Sequence, residues 1–363
     1  MAVAICFVVT KKLFLCGGHL YFWNGDVTKQ AVPLCSRPNC SHTTEDCVAM
    51  IRDASRKMYE VDDGFYVLST WPREDSRTGE KMMPIWRVEK DGSGKEIIAE
   101  IPEAGSVNYT IFQDKIYYTM EDAQEDGNYQ FSIWQMSLDG KDNKQIWQSD
   151  LYSGYIDTLQ GIGDWLYVSE NGCEEIIDWT NEDNIDFEKL PMRTNLYLYQ
   201  PQAEEWITNP DEYKKEDVLL SIQNIYQDEI YLTYYDSKAE IRKVWEKGFD
   251  LEDEAQFVGE FPRKVYKWDD LYGYTWPDRN NENENWFEIY DHNGTFVQKI
   301  DLYPYDDVDI VSADEKYAFV YWEQVQDNVS QDVIGVIERD KIATQEATLI
   351  QLTKGMNGNS FER

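Results

Sequence analysis

Short apolar runs return along the whole chain, each opened by an acidic or glycine turn and each carrying a tyrosine among β-formers. They read Asp63-Gly64-Phe65-Tyr66-Val67-Leu68, Asp114-Lys115-Ile116-Tyr117-Tyr118 and Asp164-Trp165-Leu166-Tyr167-Val168. Then come Asp228-Glu229-Ile230-Tyr231-Leu232, Asp270-Leu271-Tyr272-Gly273-Tyr274 and Glu315-Lys316-Tyr317-Ala318-Phe319-Val320. The tyrosines Tyr66, Tyr117, Tyr167, Tyr231, Tyr272 and Tyr317 are 41 to 64 residues apart, and 52 residues before Tyr66 stands Phe14, inside a degenerate first copy, Lys12-Leu13-Phe14-Leu15. Seven copies at this period are the mark of a repeat whose unit is a small sheet.

A second apolar run follows each copy, as in Pro84 to Val88, Ser132 to Met136, Asn195 to Tyr199 and Trp286 to Tyr290. Turns such as Lys90-Asp91-Gly92-Ser93-Gly94 and Leu138-Asp139-Gly140-Lys141-Asp142 come next, and Asp-Gly between alternating segments is a strong hairpin signal. Short strands close the units: Glu96 to Ala99, Lys144 to Trp147, Glu205 to Thr208 and Phe296 to Lys299. No long window carries helical periodicity. The pattern predicts an all-β fold, a seven-bladed β-propeller with four-stranded antiparallel blades, as one domain over 1–363; six or eight blades are the alternative counts. The first unit is short: Leu13 to Leu15, Leu20 to Trp23 and Ala31 to Leu34 supply three strands, and its innermost strand is Ala4 to Val9 or missing.

Composition agrees with a folded chain, with 14% aromatic residues, 13 Trp and 25 Tyr in 363 residues. Most of these aromatics recur at fixed repeat positions, which assigns them to packing between sheets. Charge narrows the function. The 34 basic residues face 69 acidic ones, a net charge of -35, and such a surface repels phosphate backbones and anionic membrane surfaces. Nucleic acid is excluded as a partner. No stretch is long and apolar enough for a transmembrane segment. The apolar start, Ala2 to Val9, is followed rather than preceded by Lys11 and Lys12, so it lacks the order of a signal peptide.

One segment breaks the repeat. Between Pro33 and Cys47 the chain spaces three cysteines and a histidine as C-x4-C-x-H-x4-C: Cys35, Cys40, His42 and Cys47. The chain has six Cys and three His, so half of the first and a third of the second fall within 13 residues. Thiolates and imidazole are preferred zinc ligands, and four of them complete a closed, structural shell. The competing readings are one disulfide among Cys35, Cys40 and Cys47, which suits an oxidising exterior, or free thiols in a loop. Cys6, Cys16 and Cys173 are scattered and read as packing or loop thiols. His19 and His292 stand alone, the latter in a surface turn.

The residues Pro33, Leu34, Cys35, Pro38, Cys40, His42, Cys47 and Ala49, followed by tandem Asp-x-Ile-Tyr-Tyr units, resemble the TolB-like propeller proteins of anaerobic Gram-positive bacteria, predicted surface lipoproteins. In that group a PLC-x-x-P-x-C-x-H…C-x-A stretch follows a first aromatic hairpin. The resemblance covers the whole chain, and only this stretch of it is specific. It implies no established activity. It implies an extracellular or cell-surface setting, with a signal peptide and a lipid-modified cysteine that this sequence lacks.

No G-x-S-x-G elbow, sialidase Asp box, phosphate loop or EF-hand spacing appears. The carboxylates are too numerous for a glycosidase pair to be singled out. Two long loops are expected, Glu170 to Thr194 and Pro277 to Trp286. Trp71, Trp179 and Trp276, placed after strands or in loops, and Asp183 are the candidate ligand-binding residues. The reading that follows is a monomeric, non-catalytic propeller that binds a protein, peptide or glycan. Its alternatives are a carbohydrate-active enzyme using funnel carboxylates and a metal-binding or sensing protein.

Overall fold

In every unit the tyrosine-centred run becomes the second strand of its sheet, because it is apolar on both faces and can be covered on both. Gly64–Ser69 is buried along its whole length, and in Trp165–Cys173 only the first residue is not fully buried. The outer strands are less covered: Lys95–Pro102 mixes buried with exposed residues, and Lys144–Gln148 has no fully buried residue. A computed structural model describes residues 8–10, 13–74, 78–104, 107–124, 127–179, 185, 189–208, 221–226, 229–236, 241–248, 256–261, 265–268, 271–277, 285–291, 295–302, 305, 308–326, 329–353 and 356–357.

Among these residues the fold is a β-propeller of seven antiparallel sheets, each a meander of consecutive strands. Sheet 1 comprises Val8–Thr10, Leu13–Cys16, His19–Phe22 and Val32–Pro33; sheet 2 comprises Ala54–Val61, Gly64–Ser69, Lys81–Val88 and Lys95–Pro102. Sheet 3 runs from Tyr109–Phe112 through Lys115–Ala123 and Tyr129–Ser137 to Lys144–Gln148, and sheet 4 from Tyr152–Ile162 through Trp165–Cys173 and Met192–Gln200 to Glu205–Thr208. Sheets 5, 6 and 7 begin at Ser221, Val265 and Asp309. The described helical content is one 3-10 turn, Arg339–Lys341. Two short strands have no counterpart in the repeat pattern: Arg73–Glu74 beside Lys81–Val88, and Met356–Asn357 beside Val329–Glu338.

The chain divides into two compact units, Met1–Glu103 with Arg263–Arg363, and Ala104–Pro262. In the first, sheet 1 packs on sheet 7 through Phe14, Tyr21 and Trp23 against Phe319, Tyr321 and Ile334. Its other face packs on sheet 2. In the second, sheets 3 and 4 share a core of Tyr117, Phe131, Ile133, Leu159, Leu166, Tyr197 and Tyr199. Among the described side chains, the recurrent aromatics Phe14, Tyr66, Tyr117 and Tyr167 are buried packing residues, as their periodicity predicts.

Two expectations about loops change. The insertion at 170–194 is shorter than its sequence suggests. Residues Glu170 to Cys173 pair in register with Asn195 to Met192, so both ends extend the hairpin. Trp276 lies within the strand Leu271–Pro277, opposite Trp286.

Candidate metal centre

The Cys/His segment connects sheet 1 to sheet 2 and is held at both ends. On the entry side, the Leu34 amide donates to Leu20 O at 2.8 Å, and the Ser36 amide donates to Gly92 O at 3.0 Å. On the exit side, the Leu20 amide donates to Ala49 O and the Ile51 amide to Gly18 O, each at 2.8 Å. Two glycines receive these ends. Gly18 (φ +73°) and Gly92 (φ +69°) adopt left-handed backbone, and a Cβ on either would lie 2.9 Å from Ile51 O or from Leu34. Between the ends the segment turns through left-handed Asn39 and His42 and a Thr44–Cys47 turn. Its apolar members Leu34, Val48, Ala49, Met50 and Ile51 fill the space between Leu15 and Leu20 of sheet 1 and Met58, Phe65, Val67 and Val88 of sheet 2.

This path brings the four predicted ligands together. Sγ of Cys35, Cys40 and Cys47 and a ring nitrogen of His42 all lie within 4.8 Å of one another. His42 Nδ1 is 3.3 Å from Cys47 Sγ. Zinc bonds of about 2.3 Å to sulfur and about 2.0 Å to nitrogen put the donors of a tetrahedron roughly 3.5–3.8 Å apart, so a small contraction closes the shell. The donor set is three soft thiols and one imidazole, the chemistry zinc selects. Cys16, Cys35, Cys40, Cys47 and Cys173 are all free thiols.

The thiols are electrostatically unequal. Burial pushes the fully buried Cys47 thiol up to about 12. Burial also opposes the Cys35 thiolate, but the amides of Arg37 and Val48 and the thiols of Cys40 and Cys47 outweigh it and hold its pKa below the ordinary thiol value. A metal held here would have to displace a proton from Cys47, so its uptake would weaken as pH falls.

His19 is a participant that sequence reasoning read as isolated. It is buried, its Nδ1 lies 3.0 Å from Gly17 O, and its Nε2 lies 2.8 Å from His42 O, which fixes the backbone of a ligand. Lys95 of sheet 2 reaches back to the segment, donating to Glu45 O at 2.7 Å and Met50 O at 2.5 Å. Neither residue carries a local sequence signal for this role, since each is separated from its partner by 23 residues or more.

The candidate ligand-binding residues are not gathered in the same way. Trp71 is 45% exposed, but the Arg52 guanidinium stacks on its ring with Cζ 3.5 Å from the centroid. Trp179 sits over Gly127, and its amide donates to Ile177 O. Asn128 holds this stretch with both ends of its amide, donating to Ile177 O at 2.9 Å and accepting from the Ile177 amide at 3.0 Å. Asp183 and His292 lie outside the described residues, as does the side chain of Trp276. Trp71 and Trp179 belong to different units.

A second buried polar group stands at the sheet 3–sheet 4 joint. Glu170 is 2% exposed and accepts hydrogen bonds from the Ser149 hydroxyl, Asn195 Nδ2 (3.5 Å) and the Tyr197 hydroxyl (3.2 Å). Burial raises its carboxyl pKa above the ordinary value, against the pull of those three donors.

No family model and no curated protein matches the chain significantly. Solved structures do match. One from a study of two prolyl endopeptidases is 11% identical, covering 96% of this chain and 48% of its own, with a TM-score of 0.54. Oligogalacturonate lyase from Vibrio parahaemolyticus is 13% identical, covering 91% of this chain and 90% of its own, with a TM-score of 0.52. Pyrococcus horikoshii acylaminoacyl peptidase is 13% identical, covering 84% and 46%, with a TM-score of 0.47. The chain spans about half the length of the peptidases. At these identities the likeness is one of fold.

The first two of these neighbours, both enzymes by name, overturn the expectation of a non-catalytic binding module. That expectation took a regular propeller without a recognisable catalytic motif as a sign that no reaction is catalysed. Enzymes are built on this fold, and in the lyase the shared fold is nearly the whole chain. No described helix is long and apolar enough to cross a membrane.

Proposed function

We propose that Cys35, Cys40, His42 and Cys47 hold one zinc ion in a closed structural site that pins the connection between sheets 1 and 2. The observation that carries this is the convergence of all four donor atoms within 4.8 Å. Four protein ligands leave no open position for water or substrate, so the ion stabilises and does not catalyse. Native mass spectrometry with metal analysis tests it. One zinc per chain, lost in Cys40→Ser, is the expected result; no metal, with two thiols missing under denaturing conditions, would establish a disulfide and overturn the site.

For the propeller itself we propose a carbohydrate-active enzyme. Its support is the likeness in fold, over 91% of this chain and 90% of the other, to an enzyme named for a carbohydrate substrate, oligogalacturonate lyase. The substrate class differs here. A chain of net charge -35 repels a polyuronate, so a neutral or amino polysaccharide fits better than an acidic one. Glu170 is too buried to touch a substrate as it stands, and the reading does not rest on it. Incubation with a panel of neutral, amino and acidic polysaccharides, followed by assay of released ends, is the test. Turnover confined to acidic chains would overturn the substrate class, and no turnover on any chain would overturn the enzyme reading. On the resemblance to TolB-like lipoproteins we place the protein at the cell surface, which fractionation of producing cells checks.

A further inference from the structure

Lys95 is an anomaly in this chain. Its ammonium is half-buried beside Cys47, and burial lowers its pKa, with the Cys47 thiol, Glu45 and Asp46 pulling the other way. With 69 acidic residues in the sequence, a half-buried lysine is expected to find a carboxylate. Among the described residues it makes no ion pair. Its hydrogen bonds go to two main-chain oxygens, Glu45 O and Met50 O, and it sits 5.0 Å from the centre of the Trp86 ring. Those two carbonyls flank Cys47 on either side. The other cations of the segment are engaged locally: Arg37 donates to Asp46 O at 2.5 Å, and Arg52 pairs with Glu45 at 3.2 Å.

A half-buried cation with no carboxylate in contact is costly, and a metal centre of three thiolates and one neutral imidazole around a divalent ion would carry a net charge of minus one. The two deficits cancel. We propose that Lys95 is a positioning residue of the metal centre, the outer-sphere cation that neutralises the thiolate-rich site and clamps the backbone on both sides of Cys47. This rests on the zinc reading above. It assigns to a strand of sheet 2 a share in holding a metal whose ligands all precede that sheet.

The test is a Co2+ titration of the metal-free full chain, with a competing chelator, for wild type, Lys95→Met, Lys95→Gln and Lys95→Arg. Thermal melts of the metal-free and loaded forms run alongside. Wild type is expected to show the visible bands and thiolate charge-transfer absorption of tetrahedral cobalt. Lys95→Met and Lys95→Gln should bind about 10- to 100-fold more weakly, the range of outer-shell effects, and Lys95→Arg should recover most of the loss because it keeps the charge. Absence of the cobalt signature in wild type overturns the metal reading, and this inference with it. Normal binding in wild type with unchanged affinity in Lys95→Met and Lys95→Gln overturns this inference alone. Equal loss of melting temperature in the metal-free and loaded forms, with affinity unchanged, also overturns it and leaves Lys95 a packing residue. Should Lys95→Met not fold, the Gln and Arg pair decides by charge.

Discussion

The joint between sheets 1 and 2 and the joint between sheets 3 and 4 solve the same problem differently. Sheet 4 has strands of 11, 9, 9 and 4 residues, and with sheet 3 it buries a continuous layer of aromatics: Tyr199 lies 6.3 Å from Tyr117, and Trp147 lies 5.1 Å from Tyr197. Sheet 1 has strands of 3, 4, 4 and 2 residues, too little surface to cover sheet 2. The Cys/His segment makes up the difference by folding Leu34 and Val48 to Ile51 into the gap. A segment with no strand ladder of its own has few bonds to oppose its conformational entropy. The metal proposed for Cys35, Cys40, His42 and Cys47 would supply the missing constraint. On this reading one joint is held by burial and hydrogen bonds between its sheets, and the other by burial plus the proposed ligation.

That contrast can be broken experimentally. The largest effect is expected from removing the ligation: Cys47→Ser, or chelation of the wild type, should cost on the order of 5 kcal/mol or more at the sheet 1–2 joint. Hydrogen exchange should then show deprotection in Leu13–Cys16 and Gly64–Ser69 while Lys115–Ala123 stays protected. Uniform deprotection of both joints would mean that the metal is not a local device. Next in size, Phe131→Ala at the aromatic joint should cost roughly 3–5 kcal/mol by cavity formation, with zinc content unchanged. A chelator-sensitive Phe131→Ala defect would contradict the separation of the two joints. Gly92→Ala strains a left-handed residue that abuts Leu34 and Cys35, and about 1–3 kcal/mol of stability should go together with weaker metal retention. Retention unchanged in that variant would show that the entry side of the loop does not position the ligands.

The smallest expected effect concerns pH. Glu170 has a folded pKa raised by burial, so the folded state holds its proton more tightly than the unfolded chain does. Its contribution is fully present below the ordinary carboxyl pKa and is lost as pH rises through the raised value, at no more than about 1.4 kcal/mol per pH unit. Glu170→Gln, measured by denaturant melts from pH 4 to 8, should match wild type at the acid end and gain on it as pH rises. Parallel curves would show that the carboxyl is not the titrating group.

The architecture was readable because propeller blades repeat. Every tyrosine-centred run became a second strand, and Glu205–Thr208 closed its unit at the predicted bounds. The ligand set was readable because its four members lie within 13 residues. The extent of the 170–194 insertion was not, because polar residues such as Asn171, Arg193 and Thr194 pair across a hairpin without an apolar pattern to announce it. The inference from missing motifs to missing catalysis failed for a related reason. A fold can carry many functions, so the lack of a short motif does not decide whether a chain on it is catalytic.

Local sequence, then, determined what depends on neighbours along the chain: strand periodicity, hairpin turns and a clustered donor set. Only the tertiary structure decided that Gly18 and Gly92 receive the two ends of the Cys/His segment, that His19 holds His42, that Lys95 spans Cys47, and that Glu170 is buried. Each of these joins residues from different strands or sheets. Such meetings follow from how sheets pack against one another, and packing is set by shape and volume across the interface, which leave no periodic trace in a single strand.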